Sequence, residues 1–385
     1  MLTHYFFLIF TGAAILACLA MYGRQPLLVA YIILGALIGP YGANVVSDVE
    51  LIKGTAEIGI IFLLFLIGLD MQPKALLSVL RKVTSVTLYS SIIFAMIGFG
   101  FSYWWGFSPT ESLVIGASLM FSSTIISIKL LPTTVLHHRH NGEMIVGLVL
   151  MQDLLAIIVL IVLLSGATGS MDWGTLGIAM VGAPLLFGAA LLFTRYLLLK
   201  IIAKFDRISE FTFLLALGWC TGIAQLAELI GLSAEIGAFI AGVTLATSPI
   251  SQYIALSLKP LRDFFLVLFF FSIGAGFNFG LLGEIAIPAI ILAFLVLVIK
   301  PVVFRILVEK QSETTELAWD IGFRLGQISE FSLLIVFLAF ETQLISESAS
   351  LLVQATAILT FLVSSYIVVF NYPSPIAVSD KLRRD

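Results

Sequence analysis

The chain has 385 residues, of which 60% are hydrophobic and 11% are charged, whereas soluble domains carry about 25% charged residues. This composition excludes an ordinary soluble domain and predicts an all-α polytopic membrane protein. The formal net charge of −3 gives no information about partners, because in a membrane protein only the distribution of charge is informative. We expect membrane lipid as a partner and no nucleic acid.

Apolar runs divide the chain into thirteen predicted transmembrane helices, since about 20 apolar residues cross the hydrocarbon core. The second, third and ninth runs are short and rich in Gly, which is typical of buried or tilted helices. The runs lie near residues 5–22, 26–40, 54–69, 83–105, 111–130, 143–166, 174–197, 209–230, 232–247, 262–280, 284–308, 316–341 and 347–370.

The basic residues predict the orientation, because cytoplasmic loops are enriched in Lys and Arg. Alternate loops, counted together with the C-terminal tail, hold 17 of the 20 basic residues. The other loops hold only Lys53, while Lys300 and Arg324 fall within spans. We therefore expect the N-terminus outside and the C-terminus in the cytoplasm, and the segregation itself favours an odd count of spans.

The odd seventh span predicts an inverted repeat, because a single linking helix turns the second group of six spans upside down in the membrane. The whole chain is then one transmembrane unit. Its first repeat covers 1–170 (helices 1–6), the linking helix 7 covers 171–205, and the second repeat covers 206–372 (helices 8–13). Residues 373–385 are expected to form a cytoplasmic tail.

Polar patches interrupt the fifth and twelfth spans at matching places in the repeat, within 121–127 and 322–332. Backbone can unwind at that depth only where it lines a cavity or is buried in protein. Unwound backbone exposes carbonyl oxygens and half-helix ends that bind cations, although the hydroxyl groups could instead bond back to their own helices. The patches supply the candidate ligands Ser122, Ser123 and Thr124 and the candidate crossover backbone Gln327, Ile328 and Ser329.

Gln152 and Asp153 lie inside the sixth span, about ten residues from its cytoplasmic end. At 1.5 Å per residue this depth is roughly 15 Å, close to the midplane of the bilayer. A carboxylate at that depth is costly unless it has a partner, water or a proton, so Asp153 is a candidate cation- and proton-binding residue. The alternative is a structural Asp that caps a broken helix or pairs with a buried base.

Four further charges are candidate supporting residues: Lys300, Glu330, Arg324 and Glu57. Lys300 lies roughly 12 Å from the cytoplasmic end of the eleventh span, near the level of Asp153. We expect it to pair with Asp153 or Glu330 when no cation is bound, although it could snorkel to the headgroups. Glu330 and Arg324 would share no face of a regular helix, and either unwinding or pairing across the bundle could satisfy them.

Several motifs, spread over almost the whole chain, resemble the monovalent cation:proton antiporter-2 family. They are Gly35–Pro40, Ala56–Ile60 with Ile67–Leu69, Gln152–Asp153, Gly231–Ser233 with Gly237–Gly242, Phe270–Gly274 and Gly326–Phe331. The resemblance implies thirteen helices with an inverted repeat and two crossed, discontinuous helices beside the ion-binding carboxylate. It also implies a homodimer, with a dimerisation part (helices 1–3 and 8–10) and a core part (helices 4–6 and 11–13), in a bacterial inner membrane.

The Gln–Asp dipeptide resembles the glutathione-gated potassium efflux (Kef-type) branch, which exchanges K⁺ for H⁺. Gln152 offers a neutral oxygen and no titratable proton, so Asp153 alone would carry one proton or one cation. Carbonyl oxygens suit K⁺, as they do in potassium-selective filters. We therefore expect electroneutral K⁺/H⁺ exchange by alternating access, with these ions as the only small-molecule requirement and no cofactor.

Three alternatives stay open: Na⁺/H⁺ exchange on the same architecture, a gated potassium channel, and a sodium-coupled solute symporter. No enzyme is expected, because the sequence holds no phosphate loop, zinc spacing or nucleophile elbow. Kef-type proteins carry a cytoplasmic nucleotide-binding domain, which is not found before Asp385. We expect either a separate regulatory subunit or a regulatory domain missing from this sequence.

Overall fold

The computed structural model is all-helical over the part of the chain that it describes. That part comprises residues 2–46, 49–70, 73–123, 127, 140–166, 173–205, 209–230, 232, 234–246, 248, 251–311 and 313–373. Its α-helices are α1 (Leu2–Tyr22), α2 (Leu27–Ile38), α3 (Val49–Asp70), α4 (Pro73–Trp105), α5 (Pro109–Leu119), α6 (His140–Gly166), α7 (Trp173–Phe193), α8 (Leu199–Phe205), α9 (Ser209–Leu229), α10 (Ala234–Ala246), α11 (Ser251–Ala275), α12 (Leu282–Glu309), α13 (Thr315–Arg324), α14 (Glu330–Glu341) and α15 (Glu347–Asn371).

Six helical stretches in the described residues are long and apolar enough to cross a membrane. They are Thr3–Tyr22, Val83–Trp105, Val181–Lys204, Glu210–Leu229, Phe279–Glu309 and Glu347–Asn371. The prediction of an all-α chain with several membrane spans is thereby confirmed for the described residues. The count of thirteen spans and the inverted repeat stay predictions.

The first of two compact units comprises Met1–Thr11, Leu34–Leu76 and Ile161–Gly276. Within it, α3 packs along α10 and α11. Glycines allow the backbones to approach closely: a Cβ atom on Gly242 would lie 2.1 Å from the carbonyl oxygen of Phe65. A Cβ atom on Gly35 would likewise lie 2.0 Å from the carbonyl oxygen of Phe271. Small residues at helix interfaces are the usual means of close packing in membranes.

The second unit comprises Gly12–Ile33, Leu77–Leu160 and Phe277–Asp385. In it α12 packs against α13 and α15, and α14 packs against α5 and α15. Phe94, Ile145, Phe304 and Ile321 belong to a buried core formed by α4, α6, α12 and α13. All of the site geometry described below lies in this unit.

Two predicted spans of the second unit are interrupted. In the fifth, α5 ends at Leu119 and residues 121–123 have no regular structure. In the twelfth, α13 ends at Arg324 and α14 begins only at Glu330. Both places coincide with the polar patches, and the backbone groups released at each helix end need other hydrogen-bond partners.

Candidate functional site

The first break, at Met120–Ser123, is held by a side chain from α6. The Gln152 Oε1 atom accepts a hydrogen bond from the Ser122 backbone N–H at 3.0 Å, and its Nε2 group donates to the Met120 carbonyl at 3.4 Å. Gln152 is fully buried. It therefore replaces backbone partners that α5 loses where it ends, a role that its neutral amide can fill with both a donor and an acceptor.

Asp153 follows directly on α6 and is 5% exposed. It lies within α6, one residue beyond the side chain that anchors the first break. A carboxylate buried this deeply in a chain with membrane-spanning helices marks a candidate functional site.

The second break, Leu325–Ser329, is organised by the side chain of Gln327. Its Nε2 group donates to the Arg324 carbonyl at 2.9 Å, to Ser127 Oγ at 3.2 Å and to the Ser123 carbonyl at 3.5 Å. Its Oε1 atom accepts from Ser364 Oγ at 2.8 Å. One buried amide thus joins the second break to the first break and to α15.

Hydroxyl groups in and just after the first break also donate directly to carbonyls in and just before the second. Ser122 Oγ donates to the Leu325 carbonyl at 2.8 Å, and Ser127 Oγ donates to the Arg324 carbonyl at 2.9 Å. Ser127 Oγ also lies 2.6 Å from the carbonyl of Ser123 in its own segment. The two breaks are therefore in direct contact, and their hydroxyl groups do more than bond back to their own helices.

Lys300 reaches both breaks from α12. Its Nζ atom donates to the Phe121 carbonyl at 2.6 Å, to the Gln327 carbonyl at 3.1 Å and to Ser122 Oγ at 3.4 Å. The side chain is 1% exposed, so it does not snorkel to the headgroups. Its three hydrogen-bond acceptors among the described residues are neutral oxygens, which differs from the predicted pairing with the carboxylate of Asp153 or Glu330.

The ammonium group of Lys300 also lies 5.1 Å from the centre of the Phe94 ring, within range of a cation–π interaction. Three oxygens and one aromatic face are the ligands that a dehydrated monovalent cation finds favourable. We call the set formed by the Phe121 carbonyl, the Gln327 carbonyl and Ser122 Oγ the oxygen cradle.

Arg324, the last residue of α13, is 2% exposed. Its Nε group bonds to Asp320 at 2.7 Å, one turn earlier in the helix, and its Nη2 group donates to the Pro373 carbonyl at 2.7 Å. The guanidinium also lies 6.0 Å from the ring of Tyr372. Arg324 therefore connects the second break to the segment that follows α15.

Two residues of α15 belong to the site although the sequence analysis did not single them out. Thr360 Oγ1 accepts from the Ile328 backbone N–H at 3.2 Å, and Ser364 donates to Gln327. Both are buried. Their spacing of four residues on an otherwise apolar helix places them on one face, which is the signal that could have identified them.

The remaining predicted residues differ in how far they can be placed. Ser329 is the N-cap of α14, where its Oγ accepts from the Phe331 N–H, and the partly buried Glu330 is the first residue of that helix. Glu57 lies in α3 of the other unit, and its side chain is outside the described part of the structure. Thr124 also lies outside the described residues.

The model of the family described as sodium/hydrogen exchanger, transmembrane, matches residues 6–370. The chain belongs to this family. The match spans the residues of both breaks together with Gln152, Asp153 and Lys300. Membership and the apolar helices together identify the chain as a multi-pass membrane protein.

Curated relatives of this family member are named as transporters. The chain is 29% identical over 344 residues to K(+) efflux antiporter 4 of Arabidopsis thaliana, covering 87% of this chain and 58% of the relative. It is 31% identical over 366 residues to the putative cation/proton antiporter YbaL of Escherichia coli (strain K12), covering 91% and 65%. It is 28% identical over 349 residues to the iron transporter MagA of Paramagnetospirillum magneticum, covering 89% and 79%.

The chain thus spans less than two thirds of the length of the first two of these relatives. The names also differ in the ion that they specify. The transported ion of this family member must therefore be argued from its own residues.

Proposed function

We propose that the chain exchanges K⁺ for H⁺ across a membrane, with Asp153 alternately binding the cation and the proton. The observation that carries the proposal is that two neighbouring residues of α6, Gln152 and Asp153, have different roles. The amide of Gln152 is engaged by the backbone of the first break, which leaves one buried carboxylate, Asp153, to change its charge. One carboxylate that holds either one proton or one monovalent cation gives a 1:1, electroneutral exchange.

The oxygen cradle favours the proposal that the transported ion is a monovalent cation of low charge density. It offers two backbone carbonyls and a hydroxyl and is filled by the ammonium group of Lys300. Oxygens of this kind replace the hydration shell of K⁺ in selective filters. In our proposal Lys300 holds the cradle while no cation is bound, and it gives up at least one of these oxygens when a cation arrives at Asp153.

Competition at one site enforces the exchange. A ligand shifts the equilibrium between inward- and outward-facing states only through its different affinity for the two states. If proton and cation exclude each other at Asp153, each turnover carries one of them in each direction. Exchange then needs only the transported ions and no cofactor.

For the architecture we propose thirteen spans arranged as an inverted repeat, with the N-terminus outside and the C-terminus in the cytoplasm of a bacterial cell. The interruption of the fifth and twelfth spans, which are counterparts in the repeat, supports this arrangement. We further propose a homodimer formed through helices 1–3 and 8–10. Regulation through a cytoplasmic domain, on a separate subunit or on a longer form of the chain, is also part of the proposal.

Na⁺/H⁺ exchange is the second candidate, and the description of the matching family favours it. The two candidates share the carboxylate, the breaks and Lys300. They differ only in which cation the oxygens prefer. Comparing proton release driven by K⁺ and by Na⁺ gradients in the same proteoliposomes separates them.

The decisive experiment uses the purified chain in proteoliposomes with a pH-sensitive dye inside. We expect an outward K⁺ gradient to drive proton uptake, and Asp153→Asn to abolish it. Asp263→Asn is the matched control, because Asp263 is an exposed carboxylate of the first unit and its loss should leave exchange intact. Normal K⁺-dependent exchange by Asp153→Asn would contradict the mechanism, single-channel currents would indicate a channel, and uptake of an organic solute would indicate a symporter.

A further inference from the structure

The surface of the second unit carries a hydrophobic groove between α12, α13 and α15. Its volume is about 380 Å³. Hydrophobic side chains line it, among them Phe294, Val298, Val302, Trp319, Phe323 and Val363. Phe294 is 67% exposed and Val363 is 43% exposed, so protein from the described part of the chain does not cover the groove. An open apolar patch of this kind marks a contact with membrane or with another molecule.

A guanidinium group lies at one end of this groove. The Cζ atom of Arg305 is 5.0 Å from the centre of the Trp319 ring, and Trp319 lines the groove. The Nε group of Arg305 bonds to Glu309 at 3.1 Å. Among the described residues the two terminal nitrogens have no hydrogen-bond acceptor, so four N–H donors are left for a ligand or water.

The groove and Arg305 together span about one leaflet of a bilayer. Phe294 and Arg305 are both on α12, eleven residues apart in sequence, which at 1.5 Å per residue is roughly 16 Å. Half of a hydrocarbon core about 30 Å thick is roughly 15 Å. If Phe294 lies near the midplane, Arg305 lies where the acyl chains end and the phosphates begin, beside an aromatic ring of the type enriched there.

We propose that the groove binds one acyl chain of an anionic phospholipid and that Arg305 binds the phosphate of its headgroup. Arg binds phosphate through two parallel N–H groups, and the contact with Glu309 uses only Nε. That ion pair is partly exposed, at 37% and 28% for the two side chains, and contributes little, so it is no obstacle to a phosphate. Basic pockets between transmembrane helices are a known form of binding site for anionic headgroups.

A bound lipid would pack against the helices that carry the candidate site. Pro301 and Phe323 line the groove, and they are the chain neighbours of Lys300 and Arg324. An acyl chain in the groove therefore fills the outer side of α12 and α13 directly behind the oxygen cradle and the second break. This inference rests on contacts within the second unit and is independent of which cation is exchanged.

The test measures lipid binding to the purified full chain by native mass spectrometry. The probes are phosphatidylglycerol and phosphatidylcholine with identical acyl chains, added at equal concentrations to delipidated protein. We expect phosphatidylglycerol to be retained about fivefold better, the contribution of one basic residue near an anionic headgroup, because the choline cation of phosphatidylcholine offsets the charge of its phosphate. Arg305→Gln should reduce this preference to parity. Val363→Trp, which fills the groove, should reduce retention of both lipids.

Arg195→Gln is the matched control, because Arg195 is an exposed arginine of the first unit, and the preference should survive its loss. Thermal melting and size-exclusion profiles establish that each variant is folded. The proposal is overturned if Arg305→Gln keeps the preference, if Arg195→Gln loses it equally, or if Val363→Trp leaves retention unchanged. A change of oligomeric state in Val363→Trp without any lipid dependence would also overturn it, because a second copy of the chain would then occupy the groove. If the unmodified chain binds the lipid as expected but shows no K⁺/H⁺ exchange in proteoliposomes, only the proposed function is contradicted.

Discussion

Replacing Gln327 by Met tests whether one amide holds the two breaks together. Met has nearly the same length and volume but removes every hydrogen bond of the amide. The lost contacts are those to the Arg324 carbonyl at 2.9 Å, to Ser127 Oγ at 3.2 Å and from Ser364 Oγ at 2.8 Å. The fourth contact, to the Ser123 carbonyl, is 3.5 Å long and contributes little.

The expected loss of stability follows from the buried polar groups that keep no partner after the substitution. Each buried polar group that loses its partner costs about 1–3 kcal/mol, and each net hydrogen bond contributes about 0.5–1.5 kcal/mol. The Arg324 carbonyl and Ser127 keep part of their bonding, since the single O–H of Ser127 can still donate to the Arg324 or the Ser123 carbonyl, whereas Ser364 Oγ loses the acceptor that Gln327 provided. We therefore expect Gln327→Met to lower the free energy of unfolding by about 2–4 kcal/mol. We also expect a loss of exchange, because the backbone carbonyl of residue 327 belongs to the oxygen cradle and would no longer be held in position by the amide side chain.

Gln354 is the matched control for this substitution. It is a buried glutamine of α15 whose Nε2 group bonds to Ser350 Oγ at 3.0 Å, while its Oε1 atom has no hydrogen-bond partner among the described residues. Gln354→Met should therefore cost less than about 1 kcal/mol. Unfolding of both variants is followed by tryptophan fluorescence in mixed micelles of increasing denaturing detergent. Equal destabilisation by the two substitutions would refute the role assigned to Gln327.

Two further substitutions test other contacts. Lys300→Met removes a buried ammonium together with its desolvation cost, so we expect the free energy of unfolding to change by less than about 2 kcal/mol while K⁺-driven exchange falls at least about tenfold. A fully active variant would contradict the role of the cradle. Arg324→Lys keeps the charge but loses the planar fork that reaches both Asp320 and Pro373, and should cost about 1–3 kcal/mol. Arg305→Lys, which alters a partly exposed ion pair, is its control and should cost under about 1 kcal/mol; equal losses would show that burial of Arg324 is unimportant.

Composition and polar interruptions were sufficient to predict the helical membrane class and the positions of both breaks. A Ser- and Thr-rich patch is easily recognised in an apolar run, because polar side chains inside a membrane are costly and therefore usually functional. The buried Asp153 was predicted for the same reason.

The partners of Lys300 could not be predicted in this way. Its strongest contacts are with the backbone carbonyls of Phe121 and Gln327, and every residue has such a carbonyl, so no side-chain pattern indicates which one is free. The same holds for Gln152, whose partners are the backbone of Met120 and Ser122. Sequence patterns identify the polar side chains, whereas the fold decides which backbone groups they meet.

The contacts between the breaks also have a consequence for biosynthesis. Ser122 Oγ bonds to a carbonyl that lies 203 residues later in the chain. At a translation rate of about 5–20 residues per second, roughly 10–40 s pass before that partner is made. Throughout this interval the newly inserted N-terminal helices contain a break without its final donors and acceptors in a solvent that offers none. The nascent chain must keep this segment near water, or within the insertion machinery, until α12 to α14 arrive.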